Sequence, residues 1–564
     1  MTRSLARGHR TPFDRQRALG RMATEDFDVL VIGGGITGAG VALDAAARGL
    51  RTALVERRDF ASGTSSKSSK LIHGGLRYLQ QREFRLVYEA LAERQHLLDN
   101  APHLVSPVPF LIPLFGDQGV IAGGLARLYS VALWQYDLTG GLRIGKRHRR
   151  ISRSDALGYF PDLDVDRLVA GFLYWDAKAD DARLTLTVLR TAVVNYGATA
   201  ANYAAVDELL RHEGRVVGAR LGDGTEIRAA IVVNATGVWA DVVRQLDEGP
   251  AALGTLRPAK GIHLTFPAHR LPVTAAAVLP VPGDRRSIFV VPWGEFTYVG
   301  TTDTDYEGPL DDPACGPEDV AYLLAALNTA TSARLTTSDV AACWAGLRPL
   351  VRSAASARTA DLSRRHRVTR SDQGVITVTG GKLTTYRRMA SDTVDLVVSA
   401  LGRGARRSPT KELRLLGAER AGALCEPAAA RRLGVDPVTL AHLAGRYGSE
   451  ARTVIAMTEA DPELARPLVP GLPYLRAEAV YAARYEMART LDDVLARRTR
   501  AAFLSCDDAA AAATAVARLI APELGWSPAE IDHEAATYVE AARRCREAAG
   551  LPDTGELVLH GGGR

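Results

Sequence analysis

A GxGxxG run between a predicted strand and a predicted helix constrains the fold of this chain more than any other feature. Gly33, Gly35 and Gly38 directly follow the apolar run VLVI and open the helical segment ITGAGVALDAAARGL, and a second strand, RTALV, ends at Glu56. Glycines at these positions let the backbone approach a pyrophosphate, which the helix N-terminus binds through its free N–H groups and its positive dipole end. A carboxylate about 20 residues further on accepts hydrogen bonds from a ribose diol. The pattern therefore predicts a dinucleotide-binding βαβ unit, and Glu56 disfavours NADP because it would repel a 2′-phosphate.

Two later turns bear on the choice between FAD and NAD. The strand-like segment IVVNATGVWAD ends in Ala235, Thr236 and Gly237, a kind of turn that lies against the cofactor in two-domain flavoproteins. The segment GVITVTGGKLTTYRRMA places Gly380 and Gly381 between a strand and a helix. The N-terminus of that helix would face the flavin pyrimidine ring, where negative charge builds on reduction. An enzyme that uses only NAD needs neither turn, so the pair favours FAD, although each turn taken singly also suits plain packing.

Composition and charge are those of an ordinary globular protein. Hydrophobic residues make up 47% and charged residues 24% of the 564 residues. This length corresponds to three or four domains of roughly 150 residues each. The formal net charge of +6 is too small for this length to indicate nucleic-acid binding. The five cysteines form no CxxC pair, so no metal site is predicted, and we expect scattered structural thiols in a reducing compartment.

The chain is predicted to divide into a discontinuous cofactor domain, a substrate domain inserted into it, and a C-terminal helical domain. Residues 101–345 mix short strands with Pro- and Gly-rich turns, whereas the chain after 405 is rich in Ala, Arg and Leu with helical periodicity. The arginine-rich first 22 residues indicate a disordered tail, although a transit peptide has a similar composition. The predicted divisions are 1–25 for the tail, 26–100, 180–255 and 345–402 for the cofactor domain, 101–179 and 256–344 for the substrate domain, 405–550 for the helical cap and 551–564 for a second tail.

The run TSSKSSKLIHGGLRYL at residues 64–79 closely resembles the FAD-dependent glycerol-3-phosphate dehydrogenases of the respiratory kind. With GGGITGAG before it and GTTDTDY, GLRPL and GGKLTTYRR after it, the resemblance spans residues about 26–400, and RTLDDVLARRTR resembles that family's cap domain. The resemblance implies the fold of the D-amino-acid-oxidase-like flavoproteins. That is an α/β class with a Rossmann-like FAD-binding domain, an antiparallel α+β substrate domain and a C-terminal helical cap.

Site residues carry over from the family onto the matching positions of this chain. The resemblance implies that the ADP half of FAD is held by Gly33, Gly35, Gly38 and Glu56. It places beside the pyrophosphate and the flavin Thr64, Ser65, Ser66, Ser69, Lys70, Leu71 and His73. Ala205 matches a backbone contact to adenine, and Asp303 and Thr384 match positions near the flavin. The substrate pocket would be lined by Arg77, Tyr78, His263, Arg348, Arg364 and Lys382. Arg365 is an alternative to Arg364, because Arg365 and His366 stand where the family commonly has an acid and an aromatic residue.

The arginines suit a phosphorylated substrate. Glycerol 3-phosphate is close to a dianion at neutral pH, and the planar fork of an arginine matches phosphate. The candidates for this contact are Arg77, Arg348 and Arg364. Arg348 is expected where a strand ends in Gly346, because Pro349 would stop further pairing. Such a strand end would project the side chain, and the family resemblance implies a place over the flavin, near the phosphate and the C2 oxygen of the substrate.

The reaction implied is hydride transfer from the substrate's C2 to non-covalently held FAD, with dihydroxyacetone phosphate as product. His263 is the candidate general base, with a histidine packed in the sheet as the alternative, and Lys382 would stabilise the developing alkoxide. The sequence has no haem motif and no cysteine cluster, so reoxidation needs a diffusing acceptor, and the family implies a membrane quinone. No apolar run is long enough to span a bilayer. We expect a peripheral enzyme on the inner face of the cell membrane, held to anionic lipid by the apolar segment 120–138 and the basic run 143–153.

Three other functions stay open at the level of sequence. A glycerol-3-phosphate oxidase that reduces oxygen would share nearly every motif. An amino-acid or 2-hydroxyacid oxidase of the same fold is more distant, because a carboxylate substrate needs fewer cations. A flavin-containing RNA-modifying protein rests only on the basic run RIGKRHRRISR at 143–153, and such runs are mostly solvated faces, so no nucleic-acid partner is predicted. A homodimer is an open option.

Overall fold

A computed structural model shows the GxGxxG run where the sequence predicts it, between the first strand and a helix of a parallel sheet. The structure describes residues 13–75, 84–116, 133–137, 144–250, 254–281, 283–284, 286–351, 366–404, 406–419, 421–424 and 426–552. The strands, in chain order, are β1 Phe27–Ile32, β2 Thr52–Val55, β3 Leu71–Ile72, β4 Val105–Phe115, β5 Arg149–Ser152, β6 Leu168–Ala179, β7 Thr199–Ala201, β8 Val206–His212, β9 Arg215–Leu221, β10 Glu226–Asn234, β11 Leu256–Pro267, β12 Ala276–Pro280, β13 Ser287–Trp293, β14 Phe296–Gly300, β15 Thr304–Asp305, β16 Ala342–Val351, β17 Arg367–Arg370 and β18 Ile376–Thr379.

The first sheet builds the cofactor domain. Its order is β17-β18-β10-β1-β2-β7, and β18, β10, β1, β2 and β7 run parallel. The short hairpin of β8 and β9 continues from β10, with β9 antiparallel to it. The parallel strands are buried on both faces, which explains why β1 reads as a continuous apolar run rather than an alternating one. All four strands that carry predicted cofactor residues present their carboxyl ends to one edge of this sheet.

The second sheet is mostly antiparallel and builds the substrate domain. Its order is β15-β11-β14-β13-β12-β4-β6-β3, with β16 paired to β11 and β5 paired to β6. The sheet takes in β3 and β16, which the sequence assigned wholly or partly to the cofactor domain. Strand β16 pairs with β11 along its whole length, from Leu256 opposite Val351 to Thr265 opposite Ala342. The division proposed at residue 345 therefore falls inside a strand, because the pairing partner of β16 is about eighty residues away in the chain and leaves no local signal.

Helices cover the cofactor sheet and form the C-terminal domain. In chain order they are α1 Arg15–Thr24, α2 Ile36–Ala47, α3 Phe84–Asn100, α4 Arg153–Tyr159, α5 Asp181–Tyr196, α6 Ala240–Glu248, α7 Pro317–Ala330, α8 Tyr386–Ala400, α9 Ala421–Leu424, α10 Pro427–Leu433, α11 Pro437–Tyr447, α12 Ala451–Ala460, α13 Arg476–Tyr485, α14 Ala501–Leu504, α15 Cys506–Ala511, α16 Ala513–Leu524 and α17 Pro528–Ala548. A π-helical turn at Asp493–Thr499 precedes α14. The predicted α/β domain, antiparallel sheet and helical cap are confirmed.

The predicted disordered tail is wrong for residues 13–24. Helix α1 begins after Asp14, whose side chain accepts a hydrogen bond from the backbone N–H of Arg17. Phe13 and Met22 are buried, and the Phe13 ring lies 5.7 Å from that of Phe60. Composition missed this helix because its few apolar residues face the cofactor domain, and Arg15 donates hydrogen bonds to the carbonyls of Asn202 and Tyr203 in that domain.

A layer of buried charges joins the cofactor domain to the helical cap. On α5, Arg190 Nη1 lies 2.6 Å from Glu450 Oε2, and Asp181 Oδ1 lies 2.8 Å from Arg500 Nη2. Such pairs orient two surfaces strongly, because a buried charge that loses its partner is costly. The position of the cap over the cofactor domain therefore depends on these pairs as well as on apolar packing.

The cysteines were expected to be scattered, and this expectation is wrong for some of them. Cys343 on β16 and Cys545 on α17 bring their Sγ atoms to 3.9 Å. The Cys343 thiol also lies beside that of Cys315, and this contact together with burial raises the pKa of Cys343 well above the usual range, although the contact with Cys545 acts in the opposite direction. The described cysteines are free thiols. They cluster where the substrate sheet meets the last helix of the cap.

Candidate active site

Two cavities adjoin at the carboxyl ends of β1, β2, β10 and β18. The smaller has a volume of about 260 Å³ and the larger about 470 Å³. Residues that line both are Thr64, Ser68, Pro349, Gly380, Gly381, Lys382 and Leu383. Ligands of open α/β sheets bind outside the carboxyl ends of the strands, so this edge is the expected place for a dinucleotide.

The glycine turn after β1 forms one wall of the smaller cavity. Gly33 has a φ of +113°, and a Cβ there would lie 2.7 Å from the carbonyl oxygen of Ala235. A Cβ on Gly38 would lie 1.9 Å from the carbonyl oxygen of Gly33, so helix α2 packs against the turn without space for a side chain. Gly35 lines the cavity, and the Ser65 hydroxyl accepts a hydrogen bond from Ile36 N–H at 2.9 Å. The helix N-terminus and a hydroxyl thus converge on one point of the wall, which suits a pyrophosphate.

Glu56 directly follows β2 and lines the same cavity. Its Oε2 accepts a hydrogen bond from Gly34 N–H at 2.7 Å, and its Oε1 accepts one from Arg58 N–H at 2.9 Å. Burial raises the pKa of this carboxyl, and the two backbone hydrogen bonds act in the opposite direction. The carboxyl is held in place before any ligand binds.

The second glycine turn separates the two cavities. Gly380 and Gly381 follow β18 with φ of +73° and +83°, and a Cβ on Gly381 would lie 2.3 Å from the Met389 sulfur. Lys382 comes next and lines both cavities. The Thr384 hydroxyl accepts a hydrogen bond from His73 N–H at 3.2 Å, which ties the turn to the loop after β3. The strand, glycines and helix predicted here are all present.

His263 lies in the larger cavity on β11. Its Nε2 lies 2.9 Å from the Ser69 hydroxyl, and its ring stacks on Trp344 with centroids 4.8 Å apart and planes 9° apart. Burial lowers the pKa of His263 well below its usual range, and the positive charges of Lys70 and Arg348 lower it further. The imidazole is therefore neutral at physiological pH. The ring is packed within the sheet and also lines the larger cavity, and its role as general base stays a prediction.

Arg348 lines the larger cavity, but not from a strand end. Strand β16 continues to residue 351, and Pro349 stands opposite Pro258 of β11, so the pairing passes through a position where neither strand has an N–H group to donate. The guanidinium Nη1 donates to Asp303 Oδ1 at 2.9 Å, and Nη2 donates to the Thr302 carbonyl at 3.0 Å. The predicted strand end is wrong, and the arginine reaches the cavity from within the sheet.

The remaining predicted residues fall into three groups. Those that line a cavity are Thr64, Ser65, Ser69, Leu71, His73, Ala235, Thr236, Gly237, Asp303, Gly380, Gly381, Lys382 and Thr384. Ser66, Lys70 and Ala205 are outside both linings, although Ala204 and Val206 are within the smaller one. The Lys70 ammonium is buried 3.2 Å from Asp181 Oδ1 and 4.7 Å from the Trp344 ring centroid, away from the cavities. Arg77, Tyr78, Arg364 and Arg365 lie outside the described residues.

Comparison with known proteins identifies the family. The family described as FAD dependent oxidoreductase matches residues 28–387, and the C-terminal domain of alpha-glycerophosphate oxidase matches residues 408–531. Glycerol-3-phosphate dehydrogenase 2 of Mycobacterium tuberculosis is 42% identical over 94% of this chain and 90% of that protein. The chain belongs to the FAD-dependent glycerol-3-phosphate dehydrogenase family.

Other members extend the comparison. The mitochondrial glycerol-3-phosphate dehydrogenase of Bos taurus is 38% identical over 95% of this chain and 76% of its own length. The solved glycerol-3-phosphate dehydrogenase from Bacillus halodurans, complexed with FAD, superposes with a TM-score of 0.76 and 32% identity, covering 97% of this chain and 99% of that one. These matches confirm the resemblance, the fold class and FAD as the cofactor of the family. The glycine cradle, Glu56 and the turn at Gly380 fit that cofactor in this chain.

Sequence reasoning missed several lining residues of this family member. Trp239 lines the smaller cavity, where its Nε1 donates to Asp311 Oδ1 at 2.8 Å. Trp239 lies two residues after the predicted cofactor turn at Gly237. An aromatic residue so close to that turn could have been predicted as part of the cavity lining. Arg286 lines the larger cavity and donates from Nη1 to the Asp303 carbonyl at 2.8 Å. It lies just before β13 and carries no local signal.

Glu56→Gln is expected to weaken FAD retention by about 1–3 kcal/mol, because a neutral amide replaces a charged acceptor for the ribose hydroxyls. The measurement is the FAD dissociation constant of the apoprotein, followed by flavin fluorescence. Glu226→Gln is the matched control, since Glu226 is an exposed residue that pairs with Arg220 on the same domain. An unchanged dissociation constant for the Glu56 variant would remove this residue from the site.

The protein is expected to release its FAD on acid precipitation. None of the described residues that line the two cavities is a cysteine, and neither His73 nor His263 lies in a covalent-attachment motif known to us. Absorbance of the supernatant near the flavin maximum is the measurement. Flavin retained in the washed pellet would show a covalent link.

Proposed function

We propose that this protein oxidises sn-glycerol 3-phosphate to dihydroxyacetone phosphate and passes the electrons to a membrane quinone. The observation that carries the proposal is the polar end of the larger cavity. His263, Arg348 and Lys382 line it together, and the turn carrying Lys382 is shared with the nucleotide cavity. A proton acceptor and two cations thus border the space next to the flavin end of the cofactor site.

The cations match the charge of the substrate. A phosphate close to a dianion needs several donors, and the Arg348 guanidinium offers a planar fork of N–H groups. Asp303 holds that guanidinium at 2.9 Å and so fixes its orientation before substrate binds. Arg77, Tyr78 and either Arg364 or Arg365 are proposed to complete the phosphate site on the strength of the family resemblance.

The C2 hydroxyl must lose a proton as the hydride leaves C2. Bound FAD supplies the acceptor for that hydride. His263 is uncharged at neutral pH, because its pKa is held low by burial and by the charges of Lys70 and Arg348, and an uncharged imidazole can accept the proton. A phosphate dianion bound at Arg348 would offset the positive charge that lowers this pKa. Substrate binding would therefore raise the pKa of His263 and make it a better base for the bound substrate.

Anaerobic addition of sn-glycerol 3-phosphate to the purified holoenzyme tests the proposal. The flavin absorbance is expected to bleach, and a water-soluble quinone is expected to restore it. Absence of bleaching would contradict the substrate. Rapid recovery in air with release of peroxide would instead favour an oxidase, and bleaching by amino acids or 2-hydroxy acids would favour the more distant oxidases of this fold.

The described residues of the apolar segment 120–138 and of the basic run 143–153 support a lipid contact. Trp134 is 47% exposed, and its ring lies 5.2 Å from that of His148 in the basic run. Around that histidine the exposed basic residues are Lys146, Arg147, Arg149, Arg150 and Arg153. In the part of the chain that the structure describes, no helix is both long and apolar enough to cross a bilayer. Most of the apolar segment 120–138 lies outside the described residues, so its role stays a prediction.

Co-flotation with anionic liposomes at low ionic strength is expected, and it should weaken as salt rises because exposed charges are screened within about 10 Å at 0.1 M salt. Replacing Lys146, Arg147, Arg149 and Arg150 by glutamine should abolish it. Neutral liposomes are the control. A protein that stays with the soluble fraction at low salt would contradict the membrane contact.

A further inference from the structure

We infer that the C-terminal domain takes part in the active site, because its segment Arg500–Phe503 positions the His263 imidazole. The polar contacts of Arg500 act on that imidazole through Ser69. The inference rests on the proposed role of His263 as proton acceptor. It assigns to Ser69, Arg500 and Phe503 a positioning role in the reaction.

The polar contacts begin at Arg500, whose side chain is fully buried. Its Nη2 donates to the Ser66 carbonyl at 2.6 Å and to Asp181 Oδ1 at 2.8 Å, and its Nη1 donates to the Ala496 carbonyl at 2.6 Å. One cap arginine therefore holds both its own π-helical turn and the loop that follows the cofactor-binding Thr64. Ser66 lies only three residues before Ser69 in that loop.

Asp181 passes this restraint to the rest of the loop. Its Oδ2 accepts hydrogen bonds from the Ser68 N–H at 3.0 Å and from the Ser68 hydroxyl at 2.7 Å. The Lys70 ammonium lies 3.2 Å from Asp181 Oδ1. The residues on both sides of Ser69 are thus bonded to one buried carboxylate that Arg500 also contacts. Burial lowers the pKa of Lys70 to about 8, with the charge of Arg500 acting in the same direction.

Ser69 itself is held at both ends. The Tyr298 hydroxyl donates to its carbonyl at 2.9 Å, and its own hydroxyl lies 2.9 Å from His263 Nε2. The Ser69 hydroxyl can donate to Nε2 of the neutral imidazole. When Nε2 takes the proton of the substrate's C2 hydroxyl, the Ser69 O–H turns away and its oxygen accepts from the new N–H group. Ser69 can therefore keep its contact with His263 before and after proton transfer, and a methyl group at this position cannot.

The apolar contacts reach the other face of the imidazole. Phe503 stacks on Trp344 with centroids 5.2 Å apart, and Trp344 stacks on His263 at 4.8 Å. The Thr265 hydroxyl donates to the Phe503 carbonyl at 2.7 Å, which ties the cap segment to the strand that carries His263. The ring is therefore fixed edge-on by Ser69 and face-on by Trp344, and the cap supports both contacts.

The test measures the rate of anaerobic flavin reduction in a single turnover, across pH, in holoenzyme variants of verified FAD content and melting temperature. Ser69→Ala is expected to lower the reduction rate at saturating substrate by about 10-fold or more, because small misplacements of a reacting group are costly. It should also shift the pH profile and leave substrate affinity nearly unchanged. Ser69→Thr should restore most of the rate, since it keeps the hydroxyl.

Arg500→Lys is expected to lower the same rate, and the double variant with Ser69→Ala should be no slower than Ser69→Ala alone, because both changes remove one interaction. Arg190→Lys is the matched control. Arg190 is buried at the same domain interface and donates hydrogen bonds to Glu450 and Tyr481, and within the described part of the chain it makes no hydrogen bond to the loop 66–70. It should lower the melting temperature without shifting the pH profile. If Arg500→Lys does not fold, Asp181→Asn takes its place in the same comparison with Ser69→Ala, because Asp181 links Arg500 to Ser68 and Lys70.

Two results would overturn the inference while leaving the proposed function intact. One is a Ser69→Ala enzyme that reduces its flavin within about twofold of the wild type with an unchanged pH profile, since that is less than the loss of one weak hydrogen bond would cause. The other is multiplicative loss in the double variant, which would mean that the cap and Ser69 act independently. Failure of the wild type itself to bleach with sn-glycerol 3-phosphate would instead refute the proposed function.

Discussion

Arg348→Lys is expected to keep FAD and fold but to lower kcat/KM by at least about 10²-fold, which corresponds to about 2.7 kcal/mol of transition-state stabilisation. The guanidinium spreads its N–H groups between Asp303, the Thr301 hydroxyl and the Thr302 carbonyl. A lysine ammonium keeps the charge but cannot reach these partners and the substrate in one plane. Arg348→Ala should lose more, because it leaves a buried phosphate and Asp303 underpaired.

The competing explanation is that Arg348 only braces the sheet through Asp303, the Thr301 hydroxyl and the Thr302 carbonyl. It predicts a lower melting temperature with near-normal kinetics in the folded fraction. Melting temperature and steady-state kinetics measured on the same two variants separate the explanations. Arg270→Ala is the control, because Arg270 pairs with Asp339 near the surface of the same domain and should leave kcat/KM unchanged. Near-wild-type turnover of Arg348→Ala would end the claim that this residue handles substrate.

Asp59→Ala is expected to destabilise the protein by about 3–5 kcal/mol, because it removes one partner from a buried ion-pair cluster. The Asp59 carboxylate is fully buried and accepts hydrogen bonds from Arg497 Nε at 2.7 Å, from Arg498 Nη1 at 2.6 Å and from Asn202 Nδ2 at 3.0 Å. These contacts join the loop after β2 to the π-helical turn of the cap. The variant should therefore show earlier unfolding of the cap in calorimetry and faster proteolysis there.

Acid titration gives an independent check on Asp59. Burial acts to raise the pKa of this carboxyl, but the charges and hydrogen bonds of Arg498 and Arg497 prevail and hold it below its usual value. A carboxyl whose pKa is lower in the folded state contributes stability that is present above its unfolded pKa of about 3.9 and is lost as pH falls through the folded value. In the Asp59→Asn variant, the free energy of unfolding should lack this contribution and should fall less steeply at acid pH. Glu540→Ala, which removes an exposed pair with Arg543, should leave both melting and acid dependence unchanged.

Local spacing was sufficient for the cofactor half of the site. The positions of Gly33, Gly35 and Gly38 relative to a strand and a helix, and of Glu56 at the end of the next strand, appear in the structure as the sequence predicts. The turn at Gly380 follows the same rule. Each of these features depends on backbone torsions and close approach over a few residues, so the order of residue types carries the information. The family motifs then extended the prediction to Arg348, His263 and Lys382 at one cavity.

What lies beyond local spacing was decided by the tertiary structure. Arg348 reaches the cavity from the middle of β16, because that strand pairs with β11 past Pro349. Ser69 meets His263 across 194 residues, and Arg500 meets Ser66 across 434. The sequence by itself determined the dinucleotide turn, its acidic partner and the succession of α/β, antiparallel and helical regions, because these follow from residue types at short separations. Only the folded chain decided which cap residues contact the loop and the rings around the histidine, and that the Lys70 ammonium pairs with Asp181 outside both cavities. Such contacts depend on how distant elements pack and leave no pattern in any one stretch of sequence.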